Sequence, residues 1–158
     1  LYPMQTFSKN RPVDFKSIPC FIEASDSKTL ECIQSLALSI SEKVYILSSH
    51  DRKYLHLSAV FACNFVNHCY EIAAEILHQH DIPFEVLQPL IDETARKIHM
   101  LSPRDAQTGP AVRYDKNVIE AQRKLLADSP LWQEIYETMS ESIHRTAITN
   151  KPNHYDKL

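Results

Sequence analysis

The chain has 158 residues, 44% of them hydrophobic, and a formal net charge of −3 at neutral pH. That length suits one domain, or a domain with part of another, and the slightly acidic balance lacks the basic footprint of a nucleic-acid binder. No apolar run approaches the length of a membrane span, and Leu1-Tyr2-Pro3-Met4 is neither basic nor followed by the apolar core of a secretory signal. The start at a leucine reads as a start within a longer protein. Cysteines stand at 20, 32, 63 and 69 with no Cys-x-x-Cys pair, which predicts free, buried thiols in a reducing cytoplasm. The histidines are scattered, without His-Glu-x-x-His spacing, and His78-x-His80 is a poor ligand pair, so no metal site is expected.

In chain order, residues 1–16 read as extended and irregular, broken by Pro3 and Pro12. Pro19–Ala24 reads as a short strand. Ser25 or Asp26 can cap a following helix whose Leu30, Ile33, Leu36, Ala37 and Ile40 fall at helical spacing. Lys43–Leu47 is β-branched and aromatic, a second strand. Strand, helix, strand is the pattern of a βαβ unit, and two strands make no stable sheet alone, so residues 1–50 read as the end of a larger α/β sheet.

The rest is helical. Asp51 to His80 is long and rich in apolar residues, including Leu57, Val60, Phe61, Phe65, Ile72 and Ile76, which predicts burial on more than one side. Asp81-Ile82-Pro83 closes it, and Pro83 is expected in the first turn of the next helix. Helices then run over Lys116–Leu126 and from Ser129 or Pro130 onward. Residues 51–150 therefore read as a helical domain with one long central helix, and 151–158 as a polar tail. So much apolar surface on about 100 residues also predicts a homodimer.

Two features invite chemistry. Gly109 is the one glycine in the chain, inside Gln107-Thr108-Gly109-Pro110-Ala111-Val112-Arg113-Tyr114-Asp115. A lone glycine there calls for a backbone shape other residues resist, or for a close approach, and Pro110 pushes it away from helical geometry. The segment is either a corner between helices with an Arg113–Asp115 clamp or one wall of a ligand site. The same glycine count excludes Gly-x-Gly-x-x-Gly and Gly-x-x-x-x-Gly-Lys loops, so any phosphate cradle lies outside this chain. On the central helix, a uniform rotation of about 100° per residue brings His56 and Asn67 to nearly one azimuth, with Asn64 about 60° aside and His68 one turn beyond Asn64. This strip is either a solvated stripe or a wall that holds a polar substrate.

These segments resemble a known family. Tyr2-Pro3-Met4-Gln5-Thr6-Phe7 is similar to its His-Pro-Leu-Gln-Thr-Phe motif, with Tyr2 in the place of the histidine. His56–Phe65 is similar to its central-helix motif, and Gln107-Thr108-Gly109-Pro110 with Arg113 and Asp115 to its Leu-Thr-Gly-Pro-x-x-Arg-x-Asp motif. The family is the Rossmann-like proteins carrying the helical domain of unknown function 2520, which are similar to NADP-dependent oxidoreductases of the ketopantoate reductase and 6-phosphogluconate dehydrogenase type. The resemblance spans residues 2 to about 146. It implies a mainly α protein: the C-terminal remnant of a Rossmann-like α/β domain, then a helical domain like the C-terminal domain of 6-phosphogluconate dehydrogenase, which in such relatives packs against a partner subunit.

The function so implied is the substrate-binding and dimerisation part of an NADP-dependent oxidoreductase acting on a small polar carbonyl or imine. Its proton donor would be His56, histidine being the side chain suited to proton transfer near neutrality. Asn64 would stabilise the developing negative oxygen, and Arg113 would hold a substrate carboxylate. Ser58, Asn67, His68, Gln107, Thr108 and Gly109 complete the expected substrate contacts, and Pro3 and Gln5 are the candidate cofactor contacts. The alternative is a non-catalytic sensor or interaction module on a dehydrogenase-like body.

Overall fold

The computed structural model of the protein describes residues 1–149. The tail expected at 151–158 lies outside the described residues. The chain forms two compact units, Leu1–Cys69 and Tyr70–Leu158.

The first unit is built on a three-stranded sheet of order β1-β2-β3: β1 Tyr2–Pro3, β2 Cys20–Ile22 and β3 Val44–Ile46. β1 runs antiparallel to β2, with Tyr2 opposite Phe21, and β2 runs parallel to β3. The crossover between the parallel strands is α1, Ser27–Ile40. Its start is set by Asp26, whose carboxylate accepts from the Thr29 backbone N–H at 2.9 Å. That bond, with the Thr29 hydroxyl, holds the carboxyl below its ordinary pKa. Alternation along β2 sends Cys20 and Ile22 to one face, where they meet Ala37 of α1, with Leu30, Ile33 and Val44 packed around them. Phe21 takes the other face and stacks on Tyr45, ring centroids 5.5 Å apart.

Ser41 is a buried polar residue that no hydropathy pattern reveals. Its hydroxyl donates to the Ile18 carbonyl at 2.6 Å and accepts from the Lys43 N–H at 3.0 Å, which fixes the tight passage from α1 to β3.

From Ser49 to His78 the chain is helical throughout: α2 (Ser49–Ala59), a π turn (Val60–Phe65) and α3 (Val66–His78). Ser48 caps it by accepting from the Asp51 N–H at 3.1 Å. The π turn corrects the strip read from the sequence. A π turn accommodates an additional residue, so α3 is rotated by about 100° from the path of a uniform helix, and Asn67 leaves the azimuth of His56 by roughly a quarter turn. The expected burial of this helix is corrected too. Leu57 is 52% exposed, Phe61 61% and Phe65 50%, because nothing among the described residues covers that face. The cysteine expectation holds only for Cys20; all four thiols are free, but Cys32, Cys63 and Cys69 are exposed.

In the second unit Pro83 does not open an α-helix. It precedes a short 3₁₀ turn, Phe84–Leu87, and α4 runs over Gln88–Lys97 with Pro89 in its first turn. A proline N–H can be missing without cost only there, so Pro89 resets the start of the helix. Beyond the Gly109 corner come α5 (Pro110–Arg113), α6 (Lys116–Leu125) and α7 (Pro130–Ile148), which pack on one another. Arg123 bridges α6 to α7 by pairing with Glu137 at 3.3 Å while also holding Glu120 of its own helix. The Tyr136 hydroxyl donates to the Gln122 carboxamide at 2.8 Å.

Gly109 has φ 109° and ψ 177° and sits as the cap before Pro110. A Cβ placed on it meets no atom within 4 Å. The positive φ accounts for the glycine, and no described neighbour of the chain presses on it. Gly109→Ala should destabilise the protein by about 1–3 kcal/mol, the usual cost of a side chain held in such a conformation. Denaturant unfolding at unchanged slope checks this, and an unchanged midpoint would show that the corner relaxes.

Candidate functional site

Within the first unit the structure brings one pair of motif residues together. Tyr2 on β1 and His56 on α2 lie 54 positions apart, and the Tyr2 hydroxyl meets His56 Nδ1 at 3.2 Å. The placement of Tyr2 comes from its sheet register with Phe21, and that of His56 from the helix that Ser48 caps. The start of α2 is tied to the sheet a second time. Glu23, just past β2, accepts from the Ser49 N–H at 2.9 Å and from the Ser49 hydroxyl, and Arg52 stands 4.0 Å from the same carboxylate. The Ser49 hydrogen bonds, with a smaller contribution from Arg52, hold the Glu23 carboxyl below its ordinary pKa. α2 is therefore anchored at its first turn and again two turns later, which fixes the azimuth of His56.

The other expected residues of this unit are dispersed. The Ser58 hydroxyl donates to the Tyr54 carbonyl of its own helix at 2.9 Å. Asn64 is exposed within the π turn, and Asn67 and His68 are exposed in the first turn of α3. Pro3 is paired with Cys20 in the sheet. The Gln5 side chain accepts from the Thr6 N–H at 2.9 Å and lines a polar hollow of about 300 Å³ with Ser8, Arg11 and Asp14.

Within the second unit, Gln107 lines a cavity of about 270 Å³ together with Arg104, Val112, Ser142 and Thr146. Arg104 donates to the Thr146 carbonyl at 2.7 Å and to the Thr149 carbonyl, so its guanidinium caps the C-terminus of α7. Thr108 and Arg113 are exposed. The expected Arg113–Asp115 clamp is absent among the described residues. Asp115 instead caps α6, accepting from the Val118 N–H at 3.3 Å. Tyr114, in the left-handed conformation, ends α5 and stacks on His144 of α7 with centroids 4.0 Å apart. Tyr2, Glu23 and Arg104 are the residues that sequence reading left without a role. Their partners lie 26 to 54 positions away, and no local spacing announces such pairs.

Among the described residues no group of three or more His, Cys, Asp or Glu side chains is gathered for a metal ion. No described helix is long and apolar enough to cross a membrane.

The profile of the domain of unknown function DUF2520 matches residues 18–143. Among solved structures the chain is similar to "putative NADP oxidoreductase BF3122" from Bacteroides fragilis, at 56% identity and a TM-score of 0.88, over 91% of this chain and 56% of that one. It is also similar to protein TM1727 from Thermotoga maritima, at 24% identity and a TM-score of 0.71, over 84% of this chain and 54% of that one; at that identity the likeness is one of fold. The chain thus spans about half the length of these solved relatives. No curated protein matches it. The mainly helical fold, with the end of a Rossmann-like sheet before a helical domain, agrees with these likenesses. By the profile match over most of its length, the chain belongs to the DUF2520 family.

Proposed function

We propose that this chain is the substrate-binding and dimerisation part of an NADP-dependent oxidoreductase acting on a small polar carbonyl or imine. The observation that carries the reading is the Tyr2–His56 hydrogen bond, which holds an imidazole in place on the central helix of a chain 56% identical to a protein named as an NADP oxidoreductase. The phosphates of a dinucleotide do not fit this chain. Their cradle needs several glycines in a strand–turn–helix, and the one glycine here caps a four-residue helix. On this reading the phosphates of the dinucleotide are held by residues outside these 158, and the main roles of this chain are to bind substrate and move a proton.

His56 gives a proton to the substrate oxygen or nitrogen as negative charge develops there. Asn64 lies eight residues on, roughly 12 Å along the axis, so it serves a second polar group of the substrate with its carboxamide. In the second unit Arg113 carries an exposed guanidinium, a group whose geometry suits bidentate pairing with carboxylates in general. The exposed row Leu57, Phe61 and Phe65 supports a homodimer through the central helix.

Titration of the full-length protein with NADPH and NADH tests the reading. Micromolar binding that favours NADPH is the expected result. Binding of neither would discard the oxidoreductase and leave the dehydrogenase-like body as an interaction module.

A further inference from the structure

We infer that Tyr2 is a positioning residue for His56: its hydroxyl occupies Nδ1 and so makes Nε2 the nitrogen that meets the substrate. The inference rests on the reading of His56 as proton donor and adds to it a residue and an atom. A neutral imidazole carries one N–H and one lone pair, and a hydroxyl can fill either complementary role. The proton donor is the doubly protonated ring: with the Tyr2 hydroxyl 3.2 Å from Nδ1 and its oxygen accepting from Nδ1–H, the proton on Nε2 is the one that passes to the substrate. When the ring has given that proton, Nδ1–H still donates to the Tyr2 oxygen, so the contact survives both protonation states. In the neutral ring Nε2 then carries the lone pair that takes up the next proton.

The sequence explains why this pairing is held. Tyr2 cannot swing freely, because its backbone is paired with Phe21 in β1 and the Met4 N–H donates to the Pro19 carbonyl at 2.8 Å just beyond. His56 rides on α2, whose first turn is tied to Glu23 beyond β2 and capped by Ser48. The hydroxyl is the part that acts on the ring.

The test is nitrogen NMR of the full-length protein labelled with ¹⁵N in histidine, the His56 signals being assigned with His56→Gln. The wild-type neutral ring should show the Nδ1–H tautomer, with Nδ1–H donating to the Tyr2 oxygen and Nε2 unprotonated. In Tyr2→Phe the ratio of Nδ1–H to Nε2–H should fall by about two- to tenfold, the range set by one net hydrogen bond. An Nε2–H tautomer in the wild type would overturn the inference, whether or not the variant folds. Unchanged nitrogen shifts in a folded Tyr2→Phe protein would overturn it as well. Neither outcome touches NADPH binding, and absence of NADPH binding would leave the tautomer result standing, so the two readings fail separately.

Discussion

His56→Gln in the full-length protein should lower turnover by about 10²–10⁴-fold with a substrate found by screening small carbonyls and imines, the usual contribution of a positioned proton donor. NADPH affinity should stay as it is, because the cradle for that cofactor is assigned outside these residues. Glutamine keeps a hydrogen-bonding amide near the position of the imidazole but moves no proton, which separates proton transfer from binding. The decisive comparison is oxidation of NADPH by wild type and variant over a substrate series that reaches saturation. A loss confined to KM would mean that His56 binds and does not donate. Unchanged turnover would remove it from the chemistry altogether.

His56 also shows what the sequence could and could not disclose. Its place on a long helix was readable from Leu57, Phe61 and Phe65 at a spacing of four, and the sheet end was readable from Cys20–Ile22 and Val44–Ile46 flanking a capped helix. Local signals of this kind work because capping and alternation act over a few residues. The partner of His56 was hidden because Tyr2 lies 54 positions earlier, and only the pairing of β1 with β2 carries it there. The alignment of His56 with Asn67 failed for a related reason. The wheel assumes uniform rotation, and nothing in Val60–Phe65 marks a π turn in advance. Gly109 went the other way: its rarity and the proline after it disclosed its unusual backbone, which the structure shows as a φ of 109°. The Arg113–Asp115 clamp failed because Asp115 precedes a helix, and the bare N–H groups there compete for its carboxylate.

Exchanging both Phe61 and Phe65 for glutamate should raise the dissociation constant of the homodimer by at least about 100-fold, since burying a single phenylalanine contributes about 1.5–3 kcal/mol and the variant adds buried charge. The two rings lie edge to face, centroids 4.9 Å apart, and form one apolar ridge with Leu57. In the described chain that ridge faces solvent, so its substitution removes little beyond the contact of the two rings with each other and should leave the helical circular dichroism as it is. The contrast with the core is direct: Ile22 is 1% exposed, so truncating it would cost the first unit packing, whereas Phe61 is 61% exposed and open to a partner. Sedimentation of the full-length protein over a micromolar concentration series decides the matter. Wild type should sediment as a dimer and the double variant as a folded monomer. A monomeric wild type would end the homodimer proposal, and a dimeric double variant would move the interface off this helix.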